Sequence, residues 1–138
     1  MNKSVKIIIV NDENKLMLHL RDNKEGIPYP DYWDFIGGAI EEGESELEAI
    51  KREIDEEIGI NVEKIRLVGY IDFVNDVKTY YCRVSMFAGK TKKQIGEIKL
   101  TEGQKIDYFD FSDVSGLKMT ELNKRFILEN KKEILSEC

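Results

Sequence analysis

One α/β domain, a sheet covered by helices, is what this chain of 138 residues predicts. Three observations carry that expectation. Residues 5–10 are an apolar, β-branched run followed by the polar turn Asn11-Asp12-Glu13-Asn14, which reads as a short buried strand. Leu47, Ile50, Ile54 and Ile58 recur at three- and four-residue steps, so one side of a helix can bury itself against the sheet. Residues 121–135 repeat that pattern behind Thr120, with Leu122, Phe126, Ile127, Ile134 and Leu135 for burial: a capped amphipathic helix.

The length suits one domain and is short for two. Hydrophobic residues make up 41%, enough for a core, and charged residues 35%. With 27 Asp and Glu against 21 Lys and Arg the net charge is −6, which argues against general binding to nucleic acid or an anionic membrane. No apolar run approaches membrane-spanning length, and residues 5–10 lack the length and cleavage site of a signal peptide, so the expected location is the cytoplasm. Cys82 in a strand pattern and Cys138 at the end show no metal spacing and suggest no disulfide.

Taken in order, residues 15–21 read as a second strand paired with the first. His19, the only histidine, has no partner for a His-based metal site and is expected to be structural or at the surface. Residues 22–30 hold Gly26 and both prolines, Pro28 and Pro30, and form a loop of restricted shape that could line the mouth of a pocket. An extended segment at residues 32–35 delivers Gly37 and Gly38, whose lack of side chains permits close approach to a ligand or metal. Trp33 is expected in the core beside Phe35, with stacking on a base as the alternative. Gly59 ends the first helix. Residues 62–74 and 78–88 form a hairpin about Asn75-Asp76. Its second arm sets Tyr80, Cys82, Val84 and Met86 against Tyr81, Arg83, Ser85 and Phe87, with both faces covered. A Lys-rich loop at residues 89–96 and a strand at residues 106–111 complete the sheet.

Chemistry concentrates on the first helix. Glu53, Glu56 and Glu57 fall within one sector of roughly 100° beside the apolar stripe. Like charges so placed repel and raise one another's pKa values, and a hard cation such as Mg²⁺ relieves them. The plainer alternative is a solvated face in which Glu48/Arg52 and Arg52/Glu56 are ordinary i,i+4 pairs. The wider spacing decides between the two. Gly38, five residues, Glu44, seven residues, and then Arg52-Glu53-Ile54, Glu56-Glu57 and Gly59-Ile60 resemble the Nudix box over residues 38–60. Flanking strands and chain length are similar to a single MutT-like Nudix domain across residues 1–138. One departure is Ile36, where many members carry Pro.

The resemblance implies a Nudix-type α/β/α sandwich around a mixed sheet flanked by helices, and an enzyme that hydrolyses a nucleoside diphosphate linked to another moiety. It implies Glu53, Glu56 and Glu57 as carboxylates for Mg²⁺, or alternatively Mn²⁺, with the Gly38 carbonyl as a further ligand. Glu102, in a Glu-Gly-Gln stretch, resembles a loop carboxylate that adds a metal ligand in MutT-type enzymes. The general base is then either Glu53 or Glu102. Arg52 would hold a box glutamate in its rotamer and Glu44 would support the loop, where Gly43 lets the chain turn without a β-carbon clash. Arg21 would reach a substrate phosphate, with an ordinary surface arginine as the alternative, and the backbone of Gly37 and Gly38 would lie against the substrate.

No proline follows Pro30, so the downstream proline of ADP-ribose hydrolases and the proline-rich signature of NADH hydrolases are absent. That favours a nucleoside triphosphate, cleaved to the monophosphate and pyrophosphate. The alternatives are a nucleotide-sugar or dinucleotide pyrophosphatase, an RNA 5′-pyrophosphohydrolase, or a non-catalytic nucleotide-binding module. The expected partner is a small nucleotide, without membrane or nucleic acid, bound by a monomer or homodimer.

Overall fold

Strand β1 (Asn2–Val10) is apolar on both faces, and both faces are covered. The computed structural model describes residues 2–74, 81–101 and 103–136. Within them β1 is followed by β2 (Leu16–Leu20), β3 (Trp33–Asp34), β4 (Ile36–Ala39), α1 (Glu46–Glu57), β5 (Glu63–Val74), β6 (Tyr81–Lys90), β7 (Lys105–Phe109), α2 (Glu121–Glu129) and α3 (Lys131–Leu135). Short 3₁₀ segments lie at Ile95–Glu97 and Phe111–Gly116.

The seven strands form one mixed sheet. β1 runs parallel to β6 along its whole length and antiparallel to β2 and β4, while β5 and β6 pair as a hairpin. Successive side chains of a strand point to opposite faces, and β1 obeys this on both sides. Val5, Ile7 and Ile9 pack with Ala49, Ile50 and Ile54 of α1, whereas Ile8 and Val10 pack with Phe126, Ile127 and Ile134 on the other face. Each such isoleucine contributes roughly 1.5–3 kcal/mol of apolar burial, and this ties both helical layers to one central strand. In β6, Cys82, Val84 and Met86 join one layer and Phe87 the other, as the alternation requires.

A fork in the sheet positions the site. β1 and β2 pair only through Ile9–Met17 and Val10–Leu16, and then diverge. Beyond that point β4 takes the edge of β1, from Ser4–Ala39 to Ile7–Ile36, while β3 takes the edge of β2 through His19–Asp34 and Leu20–Trp33. Phe35 alone connects β3 to β4 across the fork.

Several local expectations change. The glycine stretch before α1 is a strand, β4, in which Ile36 is buried against Ile7. β6 continues through Gly89 to Lys90 because its parallel pairing follows β1 as far as Val10. The strand expected to reach residue 111 stops at Phe109, and a 3₁₀ segment takes over at Phe111. The C-terminal helix divides at Asn130 (φ −115°, ψ 19°), whose backbone N–H and Nδ2 both donate to the Phe126 carbonyl, at 3.1 and 2.9 Å. Leu47 and Leu122, in the first turns of α1 and α2, stay 43% and 37% exposed, away from the buried stripes. The Asn75-Asp76 turn, residues 78–80, Glu102 and Cys138 lie outside the described residues. Cys82 is buried and unbridged. Among the described residues no helix is long and apolar enough to cross a membrane.

Candidate active site

Helix α1 enters and leaves through local chemistry. Ser45 Oγ accepts from the Glu48 N–H at 3.1 Å and Glu48 Oε1 accepts from the Ser45 N–H at 3.0 Å, a reciprocal cap that also holds the Glu48 carboxyl below its usual range. At the other end Gly59 takes φ +58° and donates its N–H to the Ile54 carbonyl at 2.8 Å. Thr101 then closes over the last turn: its N–H reaches the Glu57 carbonyl at 3.1 Å and its Oγ1 the Glu56 carbonyl at 2.6 Å.

Arg52 ties the preceding loop to this helix. Its Nε and Nη2 donate to the two oxygens of Glu44 at 2.6 and 3.0 Å, and Nη2 also donates to the Ala39 carbonyl at 3.0 Å. Its Nη1 donates to Glu53 Oε1 at 3.0 Å and to Glu56 Oε2 at 3.2 Å. The two-pronged contact is geometrically specific, and it holds the Glu44 carboxyl below the ordinary carboxylate range. Glu44 Oε1 also accepts from the Glu41 N–H at 2.9 Å, so the carboxylate knits the turn together. Gly43 in that turn has φ +82° with nothing near its missing Cβ, so conformation and not a clash calls for glycine. Of the two expected i,i+4 pairs, Arg52–Glu56 forms, whereas Glu48 is taken by the cap.

The three helix carboxylates separate by environment. Glu57 is only 5% exposed, and its Oε2 accepts from the Gly37 N–H at 2.9 Å. Burial pushes its carboxyl up to about 8; the adjacent Glu53 acts in the same direction, against Lys6 and the Gly37 N–H. Glu53 lies over Gly38, where a Cβ would stand 2.6 Å from its Oε1. A Cβ on Gly37, at φ +150°, would run into the Val5 carbonyl. The Glu56 side chain is 58% exposed and turned to Arg52.

Among the described residues no three acidic, histidine or cysteine side chains stand together as a ready metal cluster. Glu53 and Glu57 nevertheless offer oxygen donors, and a repulsion that helps hold the Glu57 carboxyl protonated, beside a backbone stripped of side chains at Gly38, a donor set that fits a hard divalent cation. Glu56 would have to leave Arg52 to join them.

A cavity of about 150 Å³ opens at the fork, walled by Glu57 and Gly37 and by Lys6, His19, Arg21 and Gly103 among others. Arg21 donates through Nε to the Pro28 carbonyl at 3.1 Å, and its Nη1 lies 3.4 Å from Asp34 Oδ2. Lys6 Nζ lies 3.4 Å from the same oxygen, and Asn123 Nδ2 donates to Oδ1 of Asp34 at 3.2 Å. Trp33 is half-buried, edge-on to Phe109 at 4.7 Å, with Lys105 over its ring. Gln104 joins the Arg21 carbonyl at 2.8 Å to Asp31 Oδ1 at 2.6 Å.

Sequence reasoning did not single out Lys6 or Asp34. Each carried a readable signal: a cation inside a strand with two apolar faces, and a carboxylate between Trp33 and Phe35. The Ser45-x-x-Glu48 cap was equally legible.

A family model described as NUDIX domain matches residues 2–130. The chain is 25% identical over 123 residues to an 8-oxo-dGTP diphosphatase of Buchnera aphidicola subsp. Schizaphis graminum, covering 88% of this chain and 93% of that protein. It is 29% identical over 119 residues to the nucleoside triphosphatase NudI of Escherichia coli O17:K52:H18, covering 86% and 72%. Other relatives are matched over 33% to 49% of their own length. A crystal structure of a MutT protein from Methanosarcina mazei Go1 superposes with a TM-score of 0.80 at 21% identity, over 98% of this chain and 96% of that one, a likeness of fold. Matched by the family model over nearly all its residues, and carrying the Arg52, Glu53, Glu56 and Glu57 helix at the fork of its sheet, the chain belongs to the NUDIX family and is a hydrolase of that family.

Proposed function

We propose that the protein hydrolyses a nucleoside triphosphate to the monophosphate and inorganic pyrophosphate. Hydrolases of this family generally use divalent metals; the reading here is Mg²⁺, with Mn²⁺ as a substitute, held by Glu53, Glu56 and Glu57 and by the Gly38 carbonyl. One observation carries the site: the buried Glu57 carboxyl beside Glu53, raised by burial and like charge, in the wall of a cavity that also holds Lys6 and Arg21. When bound, the cation supplies neutralisation of the diphosphate and acidification of a water.

The chain's own groups divide the remaining tasks. Lys6 and Arg21 donate to phosphate oxygens, and Gly37 and Gly38 let the substrate approach the backbone. Arg52 fixes the rotamer of Glu53, and Glu44 fixes Arg52, the outer support a ligating carboxylate needs. Glu53 or Glu102 takes the proton from the attacking water; Glu102 enters by resemblance, as a further metal ligand. The substrate class is supported by relatives named 8-oxo-dGTP diphosphatase and nucleoside triphosphatase, matched over most of their length.

Hydrolysis of a nucleotide panel with Mg²⁺ in ¹⁸O-labelled water tests this. Label in the nucleoside monophosphate is expected, because water attacks the phosphorus nearer the nucleoside. Label only in pyrophosphate would reverse the site of attack. Rapid cleavage of a nucleotide sugar, or of a triphosphorylated RNA 5′ end, with no turnover of free triphosphates would defeat the substrate assignment.

A further inference from the structure

His19 is the one histidine of the chain, and none of the tasks above uses it. It is 7% exposed and lines the same cavity as Lys6, Arg21 and Glu57. Its Nε2 lies 3.1 Å from the Phe35 carbonyl, an oxygen that can only accept, so Nε2 carries the proton. Burial lowers the pKa of the ring, which leaves it neutral with a lone pair on Nδ1. That nitrogen is buried and has no hydrogen-bond partner, a condition shared among the described residues only by Thr120 Oγ1. Gly103, which also lines the cavity, lies against it; a Cβ there would come within 3.1 Å of Nδ1. Buried acceptors are rarely left unpaired without a reason, because an unmade hydrogen bond costs stability. A phosphate oxygen cannot complete the pairing, since an ionised phosphate only accepts, as Nδ1 does. An N–H or O–H can.

We propose that His19 is a specificity-determining residue for the nucleoside half of the substrate, its Nδ1 accepting a hydrogen bond from a sugar hydroxyl or base N–H that enters beside Gly103. The proposal rests on the nucleotide-hydrolase reading. It divides the cavity chemically: Lys6 and Arg21 suit the anionic part of the ligand, and His19 suits a neutral donor. A side chain at Gly103 would close on the ring, its Cβ standing 3.1 Å from Nδ1 and 2.9 Å from the Leu20 carbonyl.

Because no other histidine is present, the His19 nitrogens can be followed without ambiguity by ¹⁵N NMR of the full chain. Nδ1 is expected to report a bare lone pair in the free protein, to move towards the hydrogen-bonded range with ribonucleoside 5′-monophosphates, and to stay in place with inorganic pyrophosphate. Dideoxynucleotides and purine riboside monophosphate, which lack the sugar hydroxyls and the base amino group respectively, show which donor is read. An Nδ1 already hydrogen-bonded in the free protein marks a buried water and overturns the proposal. So does equal movement with pyrophosphate, or none with any nucleotide.

Two variants give a second readout. In His19→Gln the amide nitrogen can replace Nε2 and keep the Phe35 contact while the Nδ1 acceptor is lost; in His19→Asn the amide oxygen can replace Nδ1 while the Phe35 contact is lost. Monophosphate binding is expected to weaken about tenfold in His19→Gln and to stay within about threefold in His19→Asn. The reverse order would assign the effect to Phe35 and overturn the proposal. Turnover of triphosphates with an unmoved Nδ1 removes His19 from recognition and leaves the reaction standing, whereas no turnover across the panel removes the reaction.

Discussion

Replacing Glu57 by Gln separates the electrostatic cost of the site from its chemistry. The amide oxygen can still accept from the Gly37 N–H, and the amide N–H groups face the Glu53 carboxylate where wild type sets two acids together. In the metal-free protein the Glu57 carboxyl is raised from its ordinary 4.5 to about 8. Between those pH values the folded protein keeps a proton that the unfolded chain has released, so wild-type stability falls as pH rises and levels off above about 8. The full shift corresponds to an upper limit of about 5 kcal/mol, and coupling to Glu53 reduces the expected loss to about 2–3 kcal/mol. Thermal melts in chelator should therefore show Glu57→Gln unfolding roughly 5–10 °C above wild type at pH 9, with near-equal midpoints at pH 5. Saturating Mg²⁺ should stabilise wild type and do little for the variant. Turnover of the variant should fall at least about a hundredfold, through loss of a carboxylate proposed to hold the metal. A wild-type midpoint that stays level from pH 5 to pH 9 in chelator, or a variant less stable at pH 9, would refute the reasoning.

The paired glycines should respond differently. Gly37→Ala meets the Val5 backbone and a φ of +150°, and should cost more than about 3 kcal/mol in a denaturant titration, whereas Gly38→Ala meets only the movable end of Glu53 and should fold but lose about 10- to 100-fold in kcat. Arg52→Lys cannot reproduce the fork onto Glu44 together with the reach to Ala39 and Glu53, so kcat should drop about 10- to 100-fold while circular dichroism is unchanged. Glu102→Gln should weaken the apparent affinity for Mg²⁺ and slow turnover; a metal titration that overlays the parent, at equal rate, would return Glu102 to the surface.

The helix carrying the site was legible because its information is local. Apolar residues at three- and four-residue steps named the buried side of α1, and Gly59 named its end, since both follow from backbone geometry within a few residues. The break at Asn130 escaped the same reasoning: the apolar pattern runs through it, the backbone bonds from Asn130 to Phe126 and from Ile134 to Asn130 are both made, and only the dihedral angles of Asn130 mark the division.

By itself the sequence determined that a sheet lies between helices, that Val5, Ile7 and Ile9 share a face, and that three glutamates follow Arg52 on one helix, because side-chain periodicity depends only on the chain's own backbone. Which of those glutamates is buried was decided elsewhere. Glu57 sinks to the Gly37 N–H because β4 is registered on β1 at Lys6–Gly37, and Glu56 stays at the surface because Arg52 reaches it there. The gathering of Lys6, Asp34, Arg21 and His19 at the fork likewise depends on where β1 parts from β2. Such long-range register is set by how two helical layers and an edge strand close on the sheet together, and no local pattern records it.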